Sequence, residues 1–152
     1  MKKTGIWMIA LVLLCMLAGC GGKNAVEADV EAITDGLKGA VTIKDEQTTP
    51  EITVDQLYGI DAADVVKAKY YTGTSTAEEI VAIEAKDEDT AVRIKEALDK
   101  HIQEQKEIYA DYAPEELTKL GNPVLVSKGK YVVLCVSDEN DKANAEIDKH
   151  WK

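Results

Sequence analysis

The chain has 152 residues, which suits one domain, and its 45% hydrophobic and 30% charged residues are typical of a globular protein. It carries 18 lysines and arginines against 28 aspartates and glutamates, a formal charge of −10. This balance argues against a nucleic-acid partner, because phosphate binding requires clustered basic side chains.

Residues 1–19 have the pattern of a signal peptide. Lys2-Lys3 precede an apolar run, Ile6–Leu17, that is well short of the about 20 residues needed to cross a membrane. The small pair Ala18-Gly19 and then Cys20 follow this run. We therefore predict that residues 1–19 target the chain for export and take no part in its fold.

The segment Leu17-Ala18-Gly19-Cys20 resembles the lipobox of bacterial lipoproteins. By that resemblance a diacylglyceryl group is attached to the Cys20 thiol and the chain is cleaved between Gly19 and Cys20. Residues 20–24 would then be the lipidated cysteine and a short linker, and residues 25–152 a single α+β domain. Two acyl chains hold a protein stably on a bilayer, so we expect an anchored, non-spanning protein on the extracytoplasmic face of the cell membrane.

Cleavage would also change the charge and the thiol content of the chain. It removes Lys2-Lys3 and no acid, which takes the formal charge from −10 to −12. Anionic head groups repel such a surface, so the lipid must provide the attachment. Cys15 would leave with the signal peptide and Cys20 would be modified, so Cys135 would remain as the only thiol, without a disulfide partner.

The first predicted element of the domain is a helix with one apolar face. Asn24 and Glu27 have the spacing of a capping box, which places the helix start at this point. The apolar residues that follow at helical spacing are Val26, Val30, Ile33 and Leu37. A polar loop over 44–50 comes next, and Thr53 to Gln56 with Gly59 predicts a short capped helical turn.

Two strands and a long helix are predicted for the middle of the chain. Residues 66–70 alternate between apolar side chains and lysine, and β-branched residues dominate Glu79–Ala85. Good helix formers fill Glu88–Tyr112, a helix of about 36 Å that ends or kinks at Pro114. Its apolar stripe consists of Ala91, Ile94, Leu98, Ile102 and Tyr109.

The last third predicts a hairpin and a terminal helix. Val124–Val126 and Tyr131–Val136 flank a compact turn, and Asp138–Trp151 is a short polar helix. The chain is therefore an N-terminal helix followed by two strand–strand–helix units, and whether these are a duplication stays open. We predict an α+β fold, with an antiparallel sheet of about four strands and helices packed on one of its faces.

Few residues of the predicted domain are candidates for metal binding or catalysis. The carboxylate clusters Asp87–Asp89 and Asp138–Asp141 lack the spacing of an EF-hand calcium loop, so we expect them to complement helix N-termini and predict no metal and no cofactor. Cys135 lies on a predicted strand and is expected to be buried and inert, although a redox role is the alternative.

Histidines and tyrosines give no stronger indication of a catalytic site. His101 is expected to be a half-buried helix residue and His150 to be solvent-exposed near the C-terminus. Packing in a core without phenylalanine is the expected role of the tyrosines, and recognition is the alternative. They are Tyr58, Tyr70, Tyr71, Tyr109, Tyr112 and Tyr131.

Together with the lipobox, three segments carry a resemblance that runs from about Ala28 to Val136. They are Leu57–Asp61, Tyr112–Glu116 and Gly129–Leu134. The chain resembles domain-of-unknown-function family 4358, a family of Gram-positive lipoproteins. The resemblance implies an anchor in the outer leaflet of the cytoplasmic membrane of a Gram-positive cell, and it implies no activity or site residue.

We therefore expect a non-enzymatic extracytoplasmic domain that binds an envelope protein or a wall ligand. A small solute-binding lipoprotein is the second possibility, although 133 residues are few for two lobes that close around a ligand. An enzyme with an unrecognised site is the third.

Overall fold

An antiparallel sheet with helices on both faces organises the molecule. The structure is a computed structural model that describes residues 26–47 and 53–151. The elements in chain order are α1 (Val30–Ala40), β1 (Glu46–Gln47), α2 (Val54–Tyr58), β2 (Val65–Gly73), β3 (Glu79–Ala85), α3 (Glu88–Tyr112), α4 (Leu117–Gly121), β4 (Val124–Lys128), β5 (Tyr131–Val136) and α5 (Asn140–His150).

Four antiparallel strands in the order β2-β3-β5-β4 form the body of the sheet. The two-residue β1 adds to the outer edge of β2, where Glu46 is opposite Gly73. At the centre, β3 and β5 are paired so that Ile80 is opposite Cys135 and Ile83 is opposite Val132. The predicted α+β class, the four main strands and the order of two strand–strand–helix units after an N-terminal helix are confirmed.

The prediction that helices cover one face of the sheet is wrong. Val81 and Ile83 of β3 pack with α2, α3 and α4 on one face, whereas Ile80 and Ala82 pack with α1 and α5 on the other. Every residue of β5 is buried. Central strands that are buried on both faces have continuous apolar sequences rather than alternating ones, and β3 and β5 both have this property.

The two strand–strand–helix units differ in three dimensions. A half-turn about the sheet normal would place β4 and β5 on β2 and β3, but it would leave α5 on the face opposite to α3. The second unit is therefore not a rotated copy of the first.

α1 begins later than the sequence predicts. Asp29 is its N-cap and accepts a hydrogen bond from the backbone N–H of Glu31, and Val30 is the first helical residue. Val26 lies before the helix and packs against the same core as Val30 and Leu37. Asn24, which the capping-box prediction used, lies outside the described residues, as do the predicted signal peptide, Cys20 and part of the 44–50 loop.

α2 and α3 have the predicted limits. Thr53 and Gln56 form the capping box of α2, and Gly59 ends it with φ of 66°. Asp87 caps α3 through a 2.7 Å hydrogen bond from the backbone N–H of Thr90, and a short 3₁₀ turn, Pro114–Glu116, follows the helix. None of the described helices is long and apolar enough to cross a membrane.

α3 is longer than the sheet that it covers. It starts beside the C-terminal end of β3, and the side chain of His101 reaches Glu79, the first residue of β3. At 1.5 Å per residue the remaining residues, 103–112, extend about 15 Å beyond β3. We call residues 103–112 the α3 overhang.

Candidate functional site

Five ionisable side chains are buried together where β3 begins beneath α3 and α4. They are Glu78, Glu79, His101, Glu116 and Lys119, and we call them the buried charge cluster. Charged side chains are almost never buried unless they are paired, so this cluster is the most unusual chemistry in the described part of the chain.

Lys119 is the cation at the centre of the cluster. Its side chain is only 4% exposed, and its ammonium nitrogen lies 2.8 Å from Glu78 Oε1 and 2.9 Å from both carboxylate oxygens of Glu116. Burial lowers the pKa of Lys119, but hydrogen bonds and charge from the two glutamates raise it by more. The ammonium therefore remains charged, and its three donors are directed at carboxylates.

The two glutamates also hold backbone segments in place. Glu78 Oε2 accepts a 2.7 Å hydrogen bond from the backbone N–H of Lys44 and a 3.0 Å bond from the Thr76 hydroxyl. Glu116 Oε2 accepts a 2.9 Å bond from the backbone N–H of Ala77. Although burial raises the pKa of Glu78, the bonds from Lys119 and from the backbone lower it overall. The cluster thus joins the chain before β1, the start of β3 and the start of α4.

His101 and Glu79 form the second half of the cluster. His101 Nε2 lies 3.0 Å from Glu79 Oε2, and both residues are more than nine-tenths buried. Burial lowers the pKa of His101, whereas the hydrogen bond and charge of Glu79 raise it by more. The ring of Tyr58 meets the imidazole edge-on with centroids 4.9 Å apart.

Two oxygen atoms beside this pair have no hydrogen-bond partner among the described residues: the Tyr58 hydroxyl and Glu79 Oε1. Burial and the charge of Glu79 raise the pKa of Tyr58 well above 10.0, so the phenol remains protonated. His101 and Glu79 have the geometry for proton exchange with each other. Both are enclosed between α3 and the start of β3, with Tyr58 of α2 against the imidazole, and this placement suits a structural role better than catalysis.

Cys135 lies on the opposite face of the sheet from the cluster. It is buried against α1 and α5, and burial raises the pKa of its thiol to about 11. A thiol with this pKa is almost entirely protonated near neutral pH and is a poor nucleophile. The expectation that Cys135 is buried is confirmed, and the raised pKa of its thiol agrees with the low reactivity expected of it.

The two predicted carboxylate clusters have different roles. Asp87 caps α3 as expected, and its hydrogen bonds with Thr90 lower its pKa. Glu139 occupies the N-cap of α5 but makes no capping bond, and its carboxylate instead accepts a 2.7 Å bond from the backbone N–H of Thr42. No group of three or more potential metal ligands occurs in residues 26–47 and 53–151.

Both histidines are more enclosed than the sequence indicates. His101 is buried rather than half-buried, because α3 lies directly over the start of β3. His150 is half-buried, since its imidazole lies 3.2 Å from Glu146 and packs near Gly36 of α1.

Packing is the observed role of most tyrosines, as predicted. Tyr58, Tyr71 and Tyr131 belong to the two cores, and Tyr70 and Tyr109 pack partly against one of them. Tyr112 is the exception, because its side chain is exposed at the end of α3.

Two open depressions mark the described surface. One lies at the start of α5 and is lined by Asn122 and by residues 138–142. The other lies beside the end of α2, and its lining combines charged and apolar residues: Gly59, Ile60, Asp61, Asp64, Arg93, Ile94 and Ala97. Both are shallow, and no member of the buried charge cluster lines either of them. Asp138 of the first depression lies 3.9 Å from the Lys119 ammonium.

A family model described as "Domain of unknown function (DUF4358)" matches residues 38–137. The chain belongs to this family. The matched region contains all five strands and the whole buried charge cluster, and it begins ten residues after the resemblance seen in the sequence. No curated protein and no solved structure matches the chain.

Within the family region, the buried charge cluster is the feature that no pattern in the sequence predicts. Glu116 and Lys119 are three residues apart, a spacing common on exposed helices, so nothing in it signals burial. Glu78 is 41 residues from Lys119 and meets it only through the tertiary fold.

Proposed function

We propose that this protein is an extracytoplasmic lipoprotein of a Gram-positive cell whose domain acts by binding an envelope partner rather than by catalysis. A diacylglyceryl group on Cys20 holds the domain on the outer leaflet of the cytoplasmic membrane. The observation that carries the proposal is the lipobox pattern Leu17-Ala18-Gly19-Cys20 behind a charged start and a short apolar run.

The position of Val26 supports an anchor on this side of the domain. Val26 lies at the turn between β4 and β5, where a Cβ atom on Gly129 would be 3.8 Å from that of Val26. Five residues lie between Cys20 and Val26, so the two are six steps of the chain apart, a distance of at most about 21 Å. A lipid on Cys20 would therefore keep this end of the sheet close to the bilayer.

Four lysines lie at the same end of the sheet, which we call the proximal end: Lys67, Lys86, Lys128 and Lys130. Three of them, Lys67, Lys86 and Lys130, form ion pairs with acidic side chains at 3.5 Å or less. A surface of paired charges binds anionic lipid weakly, so the acyl chains would supply most of the membrane affinity.

A binding role is supported by the state of the reactive groups. The Cys135 thiol is buried and protonated, and the charges of Glu78, Glu116 and Lys119 are used on one another and on backbone N–H groups. These groups are engaged in contacts within the fold, which leaves recognition to the surface.

Metabolic labelling with an alkyne fatty acid tests the proposal on the full chain. The wild-type protein and a Cys15→Ala variant should both be labelled, shortened by cleavage and recovered with membranes. A Cys20→Ala variant should be neither labelled nor cleaved. Cys15 is the matched control because it is a second cysteine only five residues away within the apolar run.

Either of two results would overturn the lipoprotein assignment: an unlabelled wild type, or label that persists in Cys20→Ala. The binding role has its own test. A reaction that is catalysed by membranes carrying the wild-type protein, but not by membranes from cells that lack it, would show an enzyme instead.

A further inference from the structure

The α3 overhang carries an exposed apolar pair at the end of the molecule opposite the proximal end. Ile108 is 57% exposed and Tyr112 is 70% exposed, and their spacing of four residues places them on one face of the helix. Tyr109 is half-buried beside them, and its ring meets that of Tyr112 at a centroid distance of 6.2 Å. Tyrosine is a residue type enriched at protein interfaces, where it supplies a large contact area with a polar tip.

Unpaired acids surround this apolar pair. Glu107 and Asp111 are exposed on the overhang, Glu115 is exposed in the turn after it, and none of the three forms an ion pair with a described residue. Lys106 is the only cation of the overhang, and its ammonium contacts the amide oxygen of Gln103 instead of an acid. The surface is thus apolar at its centre and negative around it.

We propose that the α3 overhang is the docking surface for a basic segment of an envelope protein that inserts an apolar side chain between Ile108 and Tyr112. This inference rests on the proposed function and names the class of partner. Three unpaired carboxylates attract lysine and arginine side chains, and a negative surface repels anionic lipid, phosphate and a second copy of this acidic chain.

The position of the overhang agrees with this role. α3 runs from Glu88 at the proximal end to Tyr112, so its last residues are the part of the helix furthest from Val26. An anchor at Cys20 would direct this surface away from the bilayer.

Site-specific photo-crosslinking in living cells tests the docking surface. A benzophenone side chain is introduced at position 108 of the full chain and, as a control, at position 92. Val92 is the matched control because it lies on the same helix and is also 57% exposed, but outside the overhang. We expect a protein adduct at position 108 whose crosslinked peptide is net basic, and at least fivefold less of it at position 92.

Charge neutralisation provides the second measurement. Glu107→Gln with Asp111→Asn should reduce the adduct at position 108 roughly tenfold, because exposed ion pairs contribute modestly but add over an interface. The control is Glu96→Gln with Asp99→Asn, two exposed acids of α3 without ion pairs, which should leave the adduct unchanged. An adduct to a second copy, to lipid or to an acidic peptide would overturn the proposal, as would equal yields at positions 108 and 92.

Fatty-acid labelling of the same cells separates the two proposals. A labelled, membrane-bound protein that gives no adduct at position 108 contradicts the docking surface alone. An unlabelled protein contradicts the lipoprotein assignment, whatever adduct it forms.

Discussion

Lys119 shows how a single buried charge depends on its neighbours. Its ammonium is almost fully removed from water, and two carboxylates supply the compensation that water would otherwise provide. The pairing does not by itself imply a large gain in stability, because the desolvation of three charges opposes their attraction. Breaking it, however, leaves Glu116 buried without a cation, and leaves buried Glu78 with only the exposed ammonium of Lys44, 3.9 Å away.

We expect Lys119→Met to lower the free energy of unfolding by about 3–5 kcal/mol, because it removes the buried cation that pairs with Glu78 and Glu116. Lys100→Met is the control, since the Lys100 side chain is 78% exposed in its ion pair with Glu104 and should cost less than about 1 kcal/mol. Urea unfolding followed by circular dichroism measures both. Equal losses in the two variants would show that the buried pairing has no special effect.

The His101–Glu79 pair predicts a pH dependence of stability. Because Glu79 raises the pKa of folded His101 above its usual 6.5 despite burial, the stabilisation is complete below that value and is lost as the pH rises through the folded pKa. The difference in unfolding free energy between the wild type and His101→Gln should therefore shrink as the pH rises from below 6.5 through the raised pKa of the folded state.

Glu79→Gln is the control for this titration. It removes the charge that raises the pKa of His101 and leaves the burial that lowers it, so the pH trend should flatten or reverse. Parallel unfolding curves for the wild type and His101→Gln across this pH range would rule out the linkage.

At the scale of elements, α3 and β3 were predictable at both ends because their limits are set locally. Asp87 caps α3, Pro114 follows it, and the β-branched run of β3 stops where the acids begin. The start of α1 was not predictable in the same way. Asn24 and Asp29 are both suitable caps, and the packing of Val30 and Ile33 against β3 selects the later one.

The N-cap of α3 gives a prediction at this scale. Asp87→Ala should cost about 1–2 kcal/mol, because the backbone N–H of Thr90 loses its acceptor at the start of the longest helix. Asp89→Ala is the control, since it removes an acid from the same first turn without removing a capping bond, and it should cost a few tenths of a kcal/mol. Thermal unfolding of both variants provides the comparison, and equal destabilisation would mean that charge rather than capping matters.

At the scale of the molecule, the class of fold was predictable and the placement of the helices was not. Periodicity identifies each helix and strand, but the face on which a helix packs depends on the path of the connection that follows each strand. The continuous apolar runs of β3 and β5 indicate that helices cover both faces of the sheet, because strands with apolar side chains on both faces must be buried on both. The buried charge cluster had no such local signal, since its members meet across α3, α4 and the start of β3.

The proposed lipid anchor predicts an orientation of the whole domain, because the two ends of α3 lie at different distances from Val26. If Cys20 carries the anchor, Lys128 at the proximal end should lie near the bilayer. Tyr112 should lie farther away by about the combined length of β3 and the α3 overhang, roughly 35 Å. Fluorophores attached to Lys128→Cys and Tyr112→Cys in reconstituted vesicles measure this by energy transfer to an acceptor lipid. The buried Cys135 should not react, so each variant carries one label.

Energy transfer to the acceptor lipid should be several-fold more efficient from position 128 than from position 112. Equal transfer would mean that the domain lies flat or tumbles on its linker, and stronger transfer from position 112 would place the α3 overhang against the lipid and remove it as a surface for a soluble partner segment.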